Sequence, residues 1–314
     1  MDSRYDVIIL GAGPAGLTAG IYLARSKVKT LIIDEGTPGG QVIMSHMIAN
    51  YPGVEETSGH ALSRTMLKQA KSFGCDVITQ SKILHMDLES SPKRFNVDFE
   101  GEFLADAVIL ATGGVPRTLG IESEEKFKGH GISYCATCDG EFFTDKEIVA
   151  VGGGNSALEE SLSLSKYASK VTIIHEFNEF QAHPFVVDEV KKNPKIELLL
   201  NQKITNFEGT DVEGDNKFEA VISTDKESGK ENRTKAAGCF IFIGYVPNTG
   251  TFKDSIKLNS RGEILTDEDL KTNVEGVFAA GDSRQKKYRQ ITTAVADGTV
   301  SALSAIEYLS SIKK

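Results

Sequence analysis

Residues 5–16 read Tyr5-Asp6-Val7-Ile8-Ile9-Leu10-Gly11-Ala12-Gly13-Pro14-Ala15-Gly16 (YDVIILGAGPAG), and the fold is decided there. An apolar run of strand length passes straight into Gly-x-Gly-x-x-Gly, and helical spacing follows over 17–27. A second apolar run, 29–33, ends at Asp34, 23 positions beyond Gly11. Gly11 permits the tight turn, Gly13 lets the backbone approach a pyrophosphate, and Gly16 allows close helix–strand packing. The free N–H groups at the helix start bind phosphate. An acid at the spacing of Asp34 grips ribose hydroxyls. Strand, turn, helix and acid agree on a dinucleotide site. The bland alternative is a glycine-rich turn in an empty doubly wound domain.

The same design returns about 141 residues later. Residues 148–151 form a strand, Gly152-x-Gly154-x-x-Ala157 is the turn, a helix runs over 157–167, and a strand over 171–174 ends at His175-Glu176. That separation is too long for a solenoid repeat and suits two nucleotide-binding domains, one for a flavin and one for a nicotinamide dinucleotide. A vestigial second site is the alternative. Between and beyond the turns, 40–60 reads as irregular and 62–73 as helical, while 76–109 and 195–235 read as strands. Residues 239–243 (CFIFI) fit a buried strand, 277–282 (VFAAGD) a short strand ending at Asp282, and 292–309 a closing helix.

The 314 residues carry a net charge of -9, with 40% hydrophobic and 25% charged side chains. A basic face is what nucleic-acid binding requires, so that class is disfavoured. No stretch approaches the roughly 18–20 apolar residues of a membrane helix. Residues 1–4 lead directly into the first strand with no apolar leader region, so a cytoplasmic protein is expected.

Four cysteines do not make a secreted disulfide framework. Two of them form Cys135-Ala136-Thr137-Cys138, followed by Asp139. Spacing of i and i+3 brings two thiols to one helical face, within disulfide reach. A helix N-terminus would favour the thiolate, and Asp139 is placed to carry a proton. A structural zinc wants four ligands, and no second cysteine cluster supplies them, so no metal is expected. Inert buried thiols are the remaining alternative for the pair. Cys75 and Cys239 sit in apolar surroundings and read as small core residues.

The string Tyr134-Cys135-Ala136-Thr137-Cys138-Asp139-Gly140 resembles the active-site motif of bacterial thioredoxin reductases, the low-molecular-weight class. Gly39-Gly40-Gln41 and Asn50-Tyr51-Pro52-Gly53 are similar to that family's isoalloxazine-facing loops, and Ala111-Thr112-Gly113 to its crossover strand. Gly281-Asp282 and Arg289-Gln290 match its C-terminal flavin segment. The resemblance implies an α/β fold of two Rossmann-like domains, the second inserted into the first. It sets an FAD domain at 1–113 and 246–314, and a pyridine-nucleotide domain carrying the cysteines at 114–245. It also implies a homodimer, a thioredoxin partner, Cys138 facing the flavin, Cys135 attacking the partner disulfide, and domain rotation about linkers near 113–116 and 244–248. FAD is expected on Gly11, Gly13, Pro14, Ala15, Gly16, Asp34, Gly40, Gln41, Asn50, Ala111, Thr112, Gly113, Gly281, Asp282, Arg289 and Gln290.

One departure concerns the electron donor. NADPH-using members carry arginines after the second dinucleotide strand, where this chain reads His175-Glu176-Phe177-Asn178-Glu179-Phe180-Gln181. A 2′-phosphate site without cations is physically poor, whereas Glu176 can accept from a free ribose hydroxyl. A merely solvated surface acid is the bland reading of Glu176. The expected nicotinamide contacts are Gly152, Gly154, Asn155, Ser156 and Glu176. The donors rank NADH, then a non-nicotinamide donor such as ferredoxin, then NADPH. Three rivals remain. A hydroperoxide reductase flavoprotein is disfavoured because the chain starts at the first strand. An oxygen-using dithiol oxidase would run the cysteines in reverse, and a redox-sensing flavoprotein would not turn over.

Overall fold

The computed structural model describes residues 3–45, 47–212 and 215–312. They divide into two compact units, Met1–Val115 with Val246–Lys314, and Pro116–Tyr245.

The first unit opens with β1 (Arg4–Leu10), α1 (Pro14–Arg25) and β2 (Thr30–Asp34). A short 3-10 helix (Gly40–Met44), α2 (Gly59–Ser72), β3 (Asp76–Thr79), β4 (Ile83–Asp87), β5 (Lys93–Val97) and β6 (Gly101–Leu110) follow. The strands are ordered β3-β2-β1-β6-β5-β4. The first four run parallel, with β4 and β5 antiparallel on one side. The run YDVIIL is apolar without alternation because both faces of β1 are covered. Val7 and Ile9 pack into one core with Leu17 and Leu23 of α1, while Ile8 and Leu10 pack into the opposite core with Phe95 and Phe103. Helix α2 buries Leu62, Met66 and Ala70, one residue per four positions, and Ser58 Oγ caps it by accepting from Ala61 N at 3.1 Å.

The chain leaves this unit through β7 (Gly114–Pro116). The second unit holds α3 (Glu122–Phe127), β8 (Ile132–Ser133), α4 (Ala136–Asp139), β9 (Glu147–Val151), α5 (Asn155–Leu164), β10 (Lys170–Ile174) and α6 (Pro184–Lys192). Then come β11 (Ile196–Leu199), β12 (Gln202–Val212), β13 (Asp215–Asp225), β14 (Glu231–Lys235) and β15 (Gly238–Ile241). A parallel sheet β11-β10-β9-β15-β8 stands beside an antiparallel sheet β12-β13-β14. Strand β16 (Tyr245–Pro247), paired with β7, carries the chain back to β17 (Val277–Ala279) and α7 (Ile291–Ile312). Strand β17 adds parallel to β6 at Val108–Leu110, beyond the stretch of β6 that pairs with β5. No helix among the described residues is long and apolar enough to cross a membrane.

Candidate active site

Three distant segments converge on the first glycine turn. Gly11 takes φ of 103°, and a Cβ there would lie 2.3 Å from Ala111 O. A Cβ at Gly40 would lie 3.4 Å from Gly13 Cα, and one at Gly281 2.9 Å from Ala15 Cβ. A Cβ at Gly13 itself would meet nothing within 4 Å, so the backbone is open on the side a pyrophosphate would approach. Helix α1 starts from Gly13 with Pro14 in its first turn and no side-chain cap, leaving its first N–H groups available. Asp34 closes the turn from below, its carboxylate accepting from Ala12 N at 2.5 Å and Gly36 N at 2.7 Å. It therefore braces the turn as well as standing at the ribose spacing.

Asp282 Oδ1 is shielded from solvent and has no hydrogen-bond partner among the described residues. Burial pushes its carboxyl up, against the pull of Lys286, whose Nζ stands 3.8 Å away. A shielded acceptor that makes no hydrogen bond suits a ligand hydroxyl. Its neighbour Gly281 is fixed by Asp297, which accepts from Gly281 N at 3.0 Å, from Arg284 at 3.0 Å and from Lys286 at 2.8 Å. Burial alone would raise the Asp297 carboxyl, but those two cations hold it below its ordinary value. Arg289 pairs with the buried Glu263. Asn248 bridges the crossover, accepting from Thr112 Oγ1 through its carbonyl at 2.6 Å and donating back to Thr112 O at 3.1 Å. Gln290 donates its backbone N–H to Thr293 Oγ1, while Gln41 and Asn50 are exposed and lack side-chain hydrogen bonds among the described residues. Asp297, Glu263 and Asn248 escaped the sequence reading. Each supports a motif residue from a position outside the motifs.

In the second unit Cys135 and Cys138 form a disulfide with Cα atoms 5.3 Å apart. They do not share the face of an established helix, as the spacing suggests. Cys135 is extended and caps α4, its Sγ accepting from Cys138 N at 3.2 Å, and Cys138 lies in the first turn. The pair thus straddles a helix start, where backbone N–H groups favour a thiolate. Behind it, Ser133 Oγ donates to Asp139 Oδ2 at 2.6 Å and accepts from Cys135 N at 3.1 Å. Burial pushes the Asp139 carboxyl above its ordinary value, and the Ser133 bond pulls the other way. Tyr134 donates to the buried Glu124 at 2.7 Å. Cys75 is a contrast: burial raises its thiol to about 12, and Cys239, fully enclosed, is likewise pushed up. Neither is a nucleophile at neutral pH.

The second glycine turn is also crowded at its first two glycines. Gly152, with φ of 132°, would place a Cβ 2.5 Å from Phe242 O, and one at Gly153 would enter the His175 ring. Gly154 faces open space, and Ser156 is exposed in the first turn of α5. The segment after β10 folds down onto this turn. Gln181 N donates to Gly153 O at 2.8 Å and His183 N to Asn155 Oδ1 at 2.7 Å. His175 is buried and stacked on Phe180 at 5.5 Å, and burial lowers its pKa. Beside Glu176 stands a cation that the local sequence does not show. Lys226 Nζ reaches Glu176 O at 3.3 Å and Glu176 Oε1 at 3.5 Å, and lies 5.2 Å over the Phe177 ring. It comes from the turn after β13, so no reading of residues 175–181 finds it. Among the described residues no cluster of three metal-ligating side chains forms.

A family model described as pyridine nucleotide-disulphide oxidoreductase matches residues 5–298. A thioredoxin reductase of Peptoclostridium acidaminophilum is 42% identical over 313 residues, 98% of each chain. One from Rickettsia prowazekii is 42% identical over 308 residues, 96% of this chain and 97% of its own. The crystal structure of a thioredoxin reductase from Streptococcus pyogenes superposes with a TM-score of 0.93 at 36% identity, covering 99% of this chain and all of its own.

Proposed function

This chain belongs to the pyridine nucleotide-disulphide oxidoreductases, in the low-molecular-weight thioredoxin reductase branch, and we propose that it reduces thioredoxin through Cys135 and Cys138 with FAD resident at the first turn. The observation that carries this reading is the Cys135–Cys138 disulfide at a helix start, backed by a carboxyl whose proton affinity burial has raised. An ordinary carboxyl near pH 4 is almost wholly ionised at neutral pH and supplies few protons. Burial raises the proton affinity of Asp139 above that of an ordinary carboxyl, which favours its taking up a proton and passing it on.

The residues of the first unit fit FAD. Gly11, Gly13, Pro14, Ala15 and Gly16 would take the pyrophosphate, Asp34 a ribose, and Asp282 Oδ1 a hydroxyl of the flavin side chain. Gly40, Gln41, Asn50, Ala111–Gly113, Arg289 and Gln290 would flank the ring. Bound FAD supplies a two-electron relay between donor and disulfide. On the protein side, the Cys135–Cys138 bond would break as the pair takes up two electrons and two protons, one of the protons delivered by Asp139. Cys135, as thiolate, then attacks the partner disulfide, and Cys138 closes on Cys135 to release reduced partner. The same reading takes the enzyme as a cytoplasmic homodimer.

For the donor we keep NADH first, a ferredoxin-type donor second and NADPH third. Gly154, Asn155 and Ser156 offer the helix start to a pyrophosphate, and Glu176 offers an acceptor to a free 2′-hydroxyl. Lys226 is a nearby cation in favour of NADPH, and it is already engaged by Glu176. Thioredoxin reduction with NADH, NADPH and reduced ferredoxin, measured side by side, tests the ranking. A tenfold preference for NADPH overturns it, and negligible rates with both nicotinamides move ferredoxin to first place. Cys138→Ser should abolish thioredoxin turnover while leaving FAD bound. Oxygen uptake with a small dithiol and no thioredoxin reduction would assign the oxidase direction instead.

A further inference from the structure

We propose that Ser133 is the positioning residue of the proton carrier: one hydroxyl that ties the Asp139 carboxyl to the backbone of Cys135 and reorients when Asp139 changes its protonation. The inference rests on the redox reading of the cysteine pair and adds a residue to it.

Ser133 ends β8, which pairs with β15 through Phe240↔Ser133, so the hydroxyl stands on the parallel sheet. It is buried, at 8% exposure. A hydroxyl has one hydrogen to give and two lone pairs to offer. With Asp139 ionised, that hydrogen goes to Asp139 Oδ2 at 2.6 Å and a lone pair receives Cys135 N at 3.1 Å. With Asp139 protonated, the carboxyl becomes the donor, and the serine hydrogen needs another acceptor. Cys135 O stands 3.4 Å from Ser133 Oγ and supplies it. Both protonation states of Asp139 are therefore satisfied without moving the chain, and Cys135 N stays bound in each.

The chemistry needs such a two-way carrier. Cys135 gives its thiol proton to Asp139 and attacks one sulfur of the partner disulfide. The partner S–S bond breaks, a bond from Cys135 to partner forms, and the leaving sulfur takes the proton back from Asp139. Cys138 then attacks Cys135, restoring the enzyme disulfide, and its proton goes to the second partner sulfur. Enzyme dithiol and partner disulfide become enzyme disulfide and partner dithiol, with protons and electrons balanced.

Other groups around Asp139 do not replace this control. The 3-10 turn after α4 carries Glu141, and α5, packed against α4, carries Glu159 and Glu160. None of these acids hydrogen-bonds Asp139 among the described residues, and Glu160 is itself pushed up by burial and by Glu159. Among the described residues, Ser133 is the side chain that hydrogen-bonds the Asp139 carboxyl. Removing its hydrogen bond leaves burial unopposed, so the Asp139 proton affinity must rise.

The experiment uses the FAD-loaded enzyme and its Ser133→Ala, Ser133→Thr and Asp139→Asn variants. Infrared difference spectra across pH follow the Asp139 carboxyl band, and single-turnover oxidation of pre-reduced enzyme by a bacterial thioredoxin disulfide gives the pH profile. Ser133→Ala should shift the band and its titration upward by about one pH unit, a roughly tenfold change in proton affinity. The alkaline limb of the rate should shift by the same amount. Ser133→Thr, which keeps the hydroxyl, should restore both, and Asp139→Asn should remove the band and the limb. An unmoved titration in Ser133→Ala, even with a uniformly lower rate, overturns the proposal. If native enzyme does not reduce thioredoxin, the redox reading fails, and the infrared titration still decides the role of Ser133.

Discussion

The two glycine turns share a sequence design and differ in what surrounds them. Around the first, the crossover segment, the Gly39-Gly40 loop and the Gly281 segment close in, while Gly13 stays open and Asp282 Oδ1 is shielded with Lys286 Nζ 3.8 Å away. Around the second, the chain's own segment folds down, with Gln181 N on Gly153 O and His183 N on Asn155 Oδ1. Three other segments of its unit enclose the first turn, and the second presents its helix start beside a strap of its own residues. The lesson is that a glycine fingerprint reports a backbone able to approach phosphate. The neighbours decide how far that backbone is enclosed.

The strongest way to break this comparison is at Gly16. A Cβ there would sit 1.9 Å from Gly11 O, against backbone that has nowhere to move, whereas one at Gly154 meets nothing within 4 Å. Gly16→Ala should cost about 3 kcal/mol and yield colourless protein. Gly154→Ala should leave both stability and flavin intact. Denaturant unfolding and the flavin spectrum of each variant check this, and a Gly16→Ala variant as stable as the native protein with its flavin intact would sink the prediction.

Next in size is the charge cluster that supports only the first turn. A carboxyl held low in the fold, as Asp297 is, stabilises above its unfolded pKa of about 4, and that contribution is lost as pH falls through the lower folded value. Asp282 runs the other way. Burial raises it, so its favourable contribution lies below about pH 4 and is lost as pH rises through the raised value. At pH 7, Asp297→Asn should therefore destabilise the apoprotein by about 2 kcal/mol. Asp282→Asn should leave it equal or slightly firmer while weakening FAD. Thermal unfolding of apoprotein at pH 7, with FAD titration, separates the two, and a destabilised Asp282→Asn would contradict the sign.

Gly13→Ala and Gly154→Ala compare equivalent positions directly. Both added methyls enter open space, so neither should unfold the protein. Gly13→Ala should weaken FAD at least tenfold, and Gly154→Ala should do the same to nicotinamide dinucleotide without disturbing the flavin. Calorimetric titration of each ligand gives the answer.

The smallest effect lies at Glu176 and Lys226, an exposed pair worth under about 1 kcal/mol. Glu176→Gln should release Lys226 and improve 2′,5′-ADP binding a fewfold, and adding Lys226→Ala should reverse the gain. A gain that survives loss of Lys226 would show that the carboxylate alone discriminates.

Much of this molecule follows from the sequence by itself, because backbone-scale requirements leave local marks. The turns at Gly11–Gly16 and Gly152–Ala157 stand where strand passes into helix. The apolar runs became strands buried on both faces, and the Cys-x-x-Cys spacing put Cys135 and Cys138 within disulfide reach. Tertiary structure decided what surrounds those marks. It put Cys135 outside α4 as its cap, set Ser133 behind Asp139, brought Asp297 under Gly281, and carried Lys226 across from the turn after β13 to Glu176. Each of these is a side-chain contact made by packing of separate elements, with a partner chosen by distance in space, and no period or motif along the chain encodes that distance.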